Sequence, residues 1–181
     1  MKTQQLSEHF SLHELVSSAT ADKYHINNMP YGATMRNLRI LCQEVLEPLR
    51  KEFGPIFINS GYRCPLLNQL LHGVGNSQHM YGQAADIRLK SEQQGQAYFD
   101  FILTHCNFDQ LLFEHSKFGV IWLHVSCKPN KAQNRHMALR HRSKLPPQTS
   151  KWSRHQSNLS RHRMIRHALP HHRLLPIVNM S

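Results

Sequence analysis

A histidine and an aspartate seven residues apart, His79 and Asp86, flank Gly82 in the segment Ser77-Gln78-His79-Met80-Tyr81-Gly82-Gln83-Ala84-Ala85-Asp86. A second histidine, His124, stands downstream in Trp122-Leu123-His124-Val125-Ser126, whose alternation reads as a strand. Two imidazoles and one carboxylate form a ligand set for zinc that leaves a fourth position for water. One histidine would carry no weight in a chain with 15 of them; the order and setting of these three do. Gly82 lets the chain turn sharply, so residues seven apart can reach one ion. The small Ala84 and Ala85 leave room beside it. Arg63 ends the tight turn Ser60-Gly61-Tyr62-Arg63. A fixed guanidinium can stabilise an oxyanion or hold a carboxylate through two parallel hydrogen bonds. Together these residue types point to metal-assisted attack on a carbonyl.

The flanking sequence supplies elements to position them. Ser11 and Glu14 make a capping box, with Phe10 and Leu15 at the staple positions, so a helix starts there and fades near Ala19-Thr20. Asn27 to Gly32 is turn-rich and reads as a loop. Met35, Leu38, Cys42, Val45, Leu46, Leu49 and Phe53 recur at helical spacing, which predicts a long helix over 34–53 that Pro48 kinks or shortens. Ile56 to Asn59 is a short strand that delivers the Ser60–Arg63 turn. Pro65 suits the first turn of a short helix through Leu71. A strand runs from Ala84 to Leu89, with Asp86 and Arg88 on one face. A capped helix follows from Ser91 to about Thr104. Asp109 to Glu114 and Val120 to Cys127 form a hairpin, and Lys128 to Lys131 ends the sheet. Helices mixed with an antiparallel hairpin argue an α+β fold.

The formal charge of +11 is concentrated at one end. Residues 136–181 carry nine of the 22 Lys and Arg and none of the 11 acids. That segment also has Pro146-Pro147 and no sustained apolar period, so it is expected to be a disordered, His- and Arg-rich tail. The domain is accordingly placed at residues 1–135. Its near-balanced charge excludes reading the whole chain as a specific nucleic-acid binder; the tail alone would bind polyanions non-specifically. Cys42, Cys64, Cys106 and Cys127 form no CxxC pair, so free buried thiols in a reducing compartment are expected. The N-terminus shows no apolar signal-peptide core, and no apolar run has the length of a membrane span. The chain is therefore expected to be made as a soluble, cytoplasmic monomer.

The motifs Ser60-Gly61-Tyr62-Arg63, Asn68, Ser77 to Asp86 and Trp122 to Ser126, in that order, resemble the superfamily of zinc D-Ala-D-Ala carboxypeptidases and hedgehog-type peptidase domains. The resemblance covers roughly residues 6 to 135. It implies a small antiparallel sheet with flanking helices, with zinc as cofactor and His79, Asp86 and His124 as its ligands. Arg63 would bind or polarise the substrate carbonyl or carboxylate, and Ser77 would bind substrate beside it. The substrate would be the peptide part of peptidoglycan, cleaved by zinc-activated water as a terminal carboxypeptidase or a stem-peptide endopeptidase. The site of action would then be the cell wall after release.

One position departs from the pattern. Many relatives carry an acid three residues before the last histidine, where this chain has Ile121. Glu114 is the only acid between Asp109 and His124. It could act as general base if the hairpin register puts it on the face of His124, with His115 a weaker candidate. The missing acid also feeds an alternative: a catalytically silent zinc-site module of the same fold that binds peptide. Tyr62 and Trp122 are read as packing residues.

Overall fold

The computed structural model describes residues 4–141 and 178–180. The chain begins with a strand-like bridge between Gln5 and Ser11 that leads into α1 (Leu12–Val16). The Ser11–Glu14 capping box is present in both directions, and Phe10 and Leu15 are fully buried. The helix stops at Ser17 and a second, α2 (Ala19–Lys23), restarts under a Ser18 cap. The expected single fading helix is thus two short ones, because each serine offers its hydroxyl to a new N-terminus.

The predicted long helix is α3 (Gly32–Leu41), a π-helical stretch Cys42–Leu46 and α4 (Glu47–Phe53) in unbroken succession. Pro48 is accommodated without a break. Glu47 N–H reaches back five residues to Cys42 O, and this widening makes room where the proline ring would crowd the carbonyl four residues earlier. Then come β1 (Ile58–Ser60), α5 (Pro65–Leu70) with its proline at the first turn, and a 3₁₀ turn at Gln78–Tyr81. β2 (Ala84–Arg88), α6 (Glu92–His105), β3 (Gln110–His115) and β4 (Ile121–Ser126) complete the expected pattern.

The sheet order is β1-β2-β4-β3, all antiparallel, and then two further strands, β5 (Met137–His141) and β6 (Val178–Met180), added parallel. Its two faces differ completely. Ala85 and Ile87, Leu111 and Phe113, Leu123 and Val125 point into the core, where Leu38, Leu41, Val45 and Leu46 of the long helix and Phe99 and Ile102 of α6 meet them. The other face carries Asp86, Arg88, Glu114, Trp122 and His124 at alternate positions. Helices therefore cover one face and leave the polar one for chemistry.

The sheet continues past residue 135. β5 pairs with β3 through Gln110–Met137, Leu111–Ala138 and Leu112–Leu139, and Ala138 packs against the core. Local composition hid this strand, since its residues look like the basic segment that follows, whereas the open edge of β3 is a tertiary fact. The expectation of a disordered tail falls, for residues 142–177, outside the described residues. All four cysteines are free; Cys42 and Cys127 are buried, and Cys64 and Cys106 are half-buried. Among the described residues no helix is long and apolar enough to cross a membrane.

Candidate metal centre

Each candidate ligand comes from a different element. Asp86 lies on β2 between Ser60 of β1 and His124 of β4, its direct partners across the sheet. His79 comes from the 3₁₀ turn, which reverses at Gly82 with φ of 66°. A Cβ there would lie 2.5 Å from the Thr34 carbonyl oxygen, so glycine is required both for the backbone angle and for the close approach to α3. The turn also joins the Arg63 loop, where Arg63 N–H donates to His79 O at 3.2 Å. That loop is pressed onto α1: Tyr62 N–H donates to Leu15 O at 2.7 Å, and a Cβ on Gly61 would lie 2.4 Å from the same oxygen.

Three side-chain atoms converge. Asp86 Oδ1 is 2.9 Å from His124 Nδ1 and 3.3 Å from His79 Nε2, and the two imidazole nitrogens are 3.3 Å apart. Tetrahedral zinc with ligands at about 2.0–2.1 Å has ligand–ligand edges of about 3.3–3.4 Å. Two of the three separations match that figure, and the third is somewhat shorter. The donor set therefore fits a small divalent cation, and it is the metal-competent cluster among the described residues.

The protonation pattern fits as well. His79 Nδ1 lies 2.6 Å from the Gly61 carbonyl oxygen. A carbonyl only accepts, so Nδ1 carries the proton and Nε2 presents its lone pair to the cluster. Burial pushes the Asp86 carboxyl up, but its close contacts with the His124 and His79 imidazoles outweigh it and hold the group well below the usual carboxylate range. An ionised carboxylate and a neutral imidazole nitrogen are the forms a metal ligand needs.

Arg63 enters the site through Asp86. Its Nη2 is 2.5 Å from Asp86 Oδ2, and its Nε donates to Ser60 Oγ at 2.7 Å. Ser77 is buried at the N-terminal position of the 3₁₀ turn, two residues before His79, and its side chain makes no capping hydrogen bond. Glu114 shares the face of His124, because the register pairs Glu114 with Trp122 and Leu112 with His124. It is a diagonal neighbour, within reach of a long side chain. Glu114 Oε2 accepts a hydrogen bond from Trp122 Nε1 at 2.7 Å. His115 has the opposite parity and is exposed at the end of β3. Ile121 likewise has the opposite parity to His124 and packs on the core.

Two supports were illegible in the sequence. Asn28, in the stretch read only as a loop, is buried; it donates to Val16 O and Tyr62 O and accepts from Cys64 N–H. It thus ties the Arg63 loop to the N-terminal helices. Asp109 is fully buried and accepts from Gln78 Nε2, from the Arg135 backbone and guanidinium, and from Lys128 Nζ. Burial raises its carboxyl, but the Arg135 and Lys128 partners win and lower it to about 2. Through Gln78 this carboxylate holds the turn that carries His79. A lone asparagine or aspartate in a loop offers no periodicity or motif that would expose such long-range roles.

Comparison with known proteins bears on the same stretch. The peptidase M15 family model matches residues 8–126, well over half of the chain. Among curated proteins, the zinc D-Ala-D-Ala carboxypeptidase of Streptomyces albus G is 36% identical over 63 residues, which make up 34% of this chain and 25% of that protein. The matched segment thus spans a quarter of that relative's length.

Proposed function

The chain belongs to the peptidase M15 family, and from that premise we propose that it is a zinc peptidase cleaving the peptide part of peptidoglycan, as a D-Ala-D-Ala carboxypeptidase or a stem-peptide endopeptidase. The observation that carries this reading is the convergence of His79 Nε2, Asp86 Oδ1 and His124 Nδ1 on one point of the polar sheet face. These three would hold the ion. Zinc, when bound, polarises a carbonyl and lowers the pKa of a coordinated water from 15.7 to about 7.

The chain's own residues do the rest. Glu114 is the general base: the carboxylate oxygen opposite the one held by Trp122 takes a proton from the attacking water and returns it to the leaving nitrogen. Arg63, fixed at Asp86 and Ser60, turns the remaining edge of its planar fork to the substrate carbonyl or terminal carboxylate. Ser77 offers a hydroxyl at the start of the His79 turn to the peptide backbone.

The test is mass spectrometry of purified peptidoglycan fragments after incubation with the zinc-loaded protein and with the chelator-treated protein. Loss of one terminal alanine marks a carboxypeptidase, and a cut within the stem marks an endopeptidase. Binding of fragments without any zinc-dependent cleavage would overturn the enzyme reading and restore the silent module.

A further inference from the structure

Trp122 occupies the centre of the polar face. Across the sheet it faces Arg88 on β2 and Glu114 on β3, and it lies two residues before His124 on the same face of β4. The ring is half-buried. Its one polar atom, Nε1–H, points along the sheet to Glu114 Oε2 at 2.7 Å. Glu114 has three rotatable bonds and stands near the turn end of the hairpin, where Lys117, Phe118 and Val120 are exposed. A carboxylate on such a stem would otherwise sample several rotamers.

We propose that Trp122 is a positioning residue for the reaction: its indole N–H fixes one oxygen of the Glu114 carboxylate so that the other is presented toward His124 and the metal-ligand cluster. The inference rests on the reading of Glu114 as base and goes beyond it by naming what makes that base effective. Tryptophan suits the task because it donates only, through one rigid N–H. It therefore orients a carboxylate without offering a competing acceptor for the proton in transit.

A double-mutant cycle tests this. Trp122→Phe keeps an aromatic ring and removes the donor, and Glu114→Gln removes the base. Turnover is read with zinc-loaded full-length protein on purified peptidoglycan fragments, over incubations long enough to record the slow variants. Zinc content and thermal midpoint are measured alongside. A hydrogen bond to a charged group corresponds to roughly a ten-fold effect or more. Trp122→Phe is therefore expected to lower kcat by about ten-fold with KM and zinc content unchanged. In the Glu114→Gln background the same substitution is expected to change kcat by less than about two-fold, because the indole acts through the carboxylate. A raised KM with kcat intact would make Trp122 a substrate contact and overturn the inference. An equal loss in both backgrounds would make it packing and overturn it too. Full turnover of Trp122→Phe beside a crippled Glu114→Gln would overturn this inference and leave the base standing, whereas full turnover of Glu114→Gln would remove both.

Discussion

Arg63 Nη2 meets Asp86 on Oδ2, while both imidazoles face Oδ1. The carboxylate is thus shared, one oxygen toward the metal-ligand cluster and one toward the guanidinium. The arginine therefore orients the carboxylate that we propose as a metal ligand.

That arrangement predicts a mixed phenotype for Arg63→Ala. Loss of a partner that orients a metal ligand typically costs about 10–100-fold in affinity, so zinc binding should weaken by that much along with kcat/KM. Arg63→Lys restores the charge but not the planar fork that spans Ser60 and Asp86, and should recover only part of the loss. Competition with a chromophoric chelator measures the affinity. Unchanged zinc affinity in Arg63→Ala would show that Asp86 is oriented without it.

The three ligands should behave as one unit. His79→Ala, Asp86→Ala and His124→Ala are each expected to lose tight zinc binding while keeping a cooperative melt, since none of the three belongs to the apolar cluster beneath the sheet. Elemental analysis after dialysis checks this, with the wild type expected to retain about one zinc per chain. The tail histidines contribute equally to all four proteins and cancel in the comparison. Full occupancy in His124→Ala and Asp86→Ala would sink the assignment.

Much of this site was legible because its signals are local. The Ser11–Glu14 box, the Pro65 helix start and the alternation of β4 each depend on residues within one turn or strand. The order of His79, Asp86 and His124 carried the ligand set. Register was a different matter: whether Glu114 shares the face of His124 follows from which residue pairs with Trp122, and that is fixed by the length of the Ser116–Gly119 connection and by core packing. The contact of Trp122 Nε1 with Glu114 gave no sign in the sequence, because an apolar ring hides one polar atom. β5 read as tail because Arg140 and His141 resemble the basic sequence beyond them, although Arg140 pairs with Asp100 and stacks 4.5 Å over the Phe99 ring.

Glu114→Gln should keep zinc and fold but lose about 10²–10⁴-fold in kcat, the usual contribution of a positioned general base. Steady-state turnover on a peptidoglycan peptide measures it. Wild-type rates would move the role to His115 or to no side chain at all.

Asp109 gives the fold an acid-sensitive point. Its carboxyl is lowered to about 2 in the folded chain by Arg135 and Lys128 against the opposing effect of burial, whereas an unfolded aspartate titrates near about 3.9. A depressed folded value means that the stabilisation is fully present above about pH 4 and is lost as pH falls from about 4 toward 2. The contribution is on the order of 2 kcal/mol before solvent screening at the half-exposed Arg135 is discounted. The gap in urea midpoint between wild type and Asp109→Asn should shrink to about half on going from pH 7 to pH 3. An equal gap at both would show that the ionised form contributes nothing.

The boundary of the domain can be tested by where the chain is cut. Truncation after Arg135 removes β5, and with it the Met137 N–H to Asp109 O bond at 3.0 Å, the Leu112–Leu139 pair and the Arg140 contacts to Asp100 and Phe99. It leaves the N–H and C=O groups of β3 at an open edge. Truncation after His141 keeps all of these and gives up the short pairing with Val178–Met180. One kcal/mol shifts the melting temperature of a domain of this size by about 4 °C, and several such contacts are lost together. The Arg135 truncation should therefore melt at least about 5 °C below the His141 truncation, which should itself lie close to the full-length protein. Differential scanning calorimetry on the three proteins decides it. Equal midpoints for the two truncations would return the boundary to residue 135 and make β5 an appendage of the sheet.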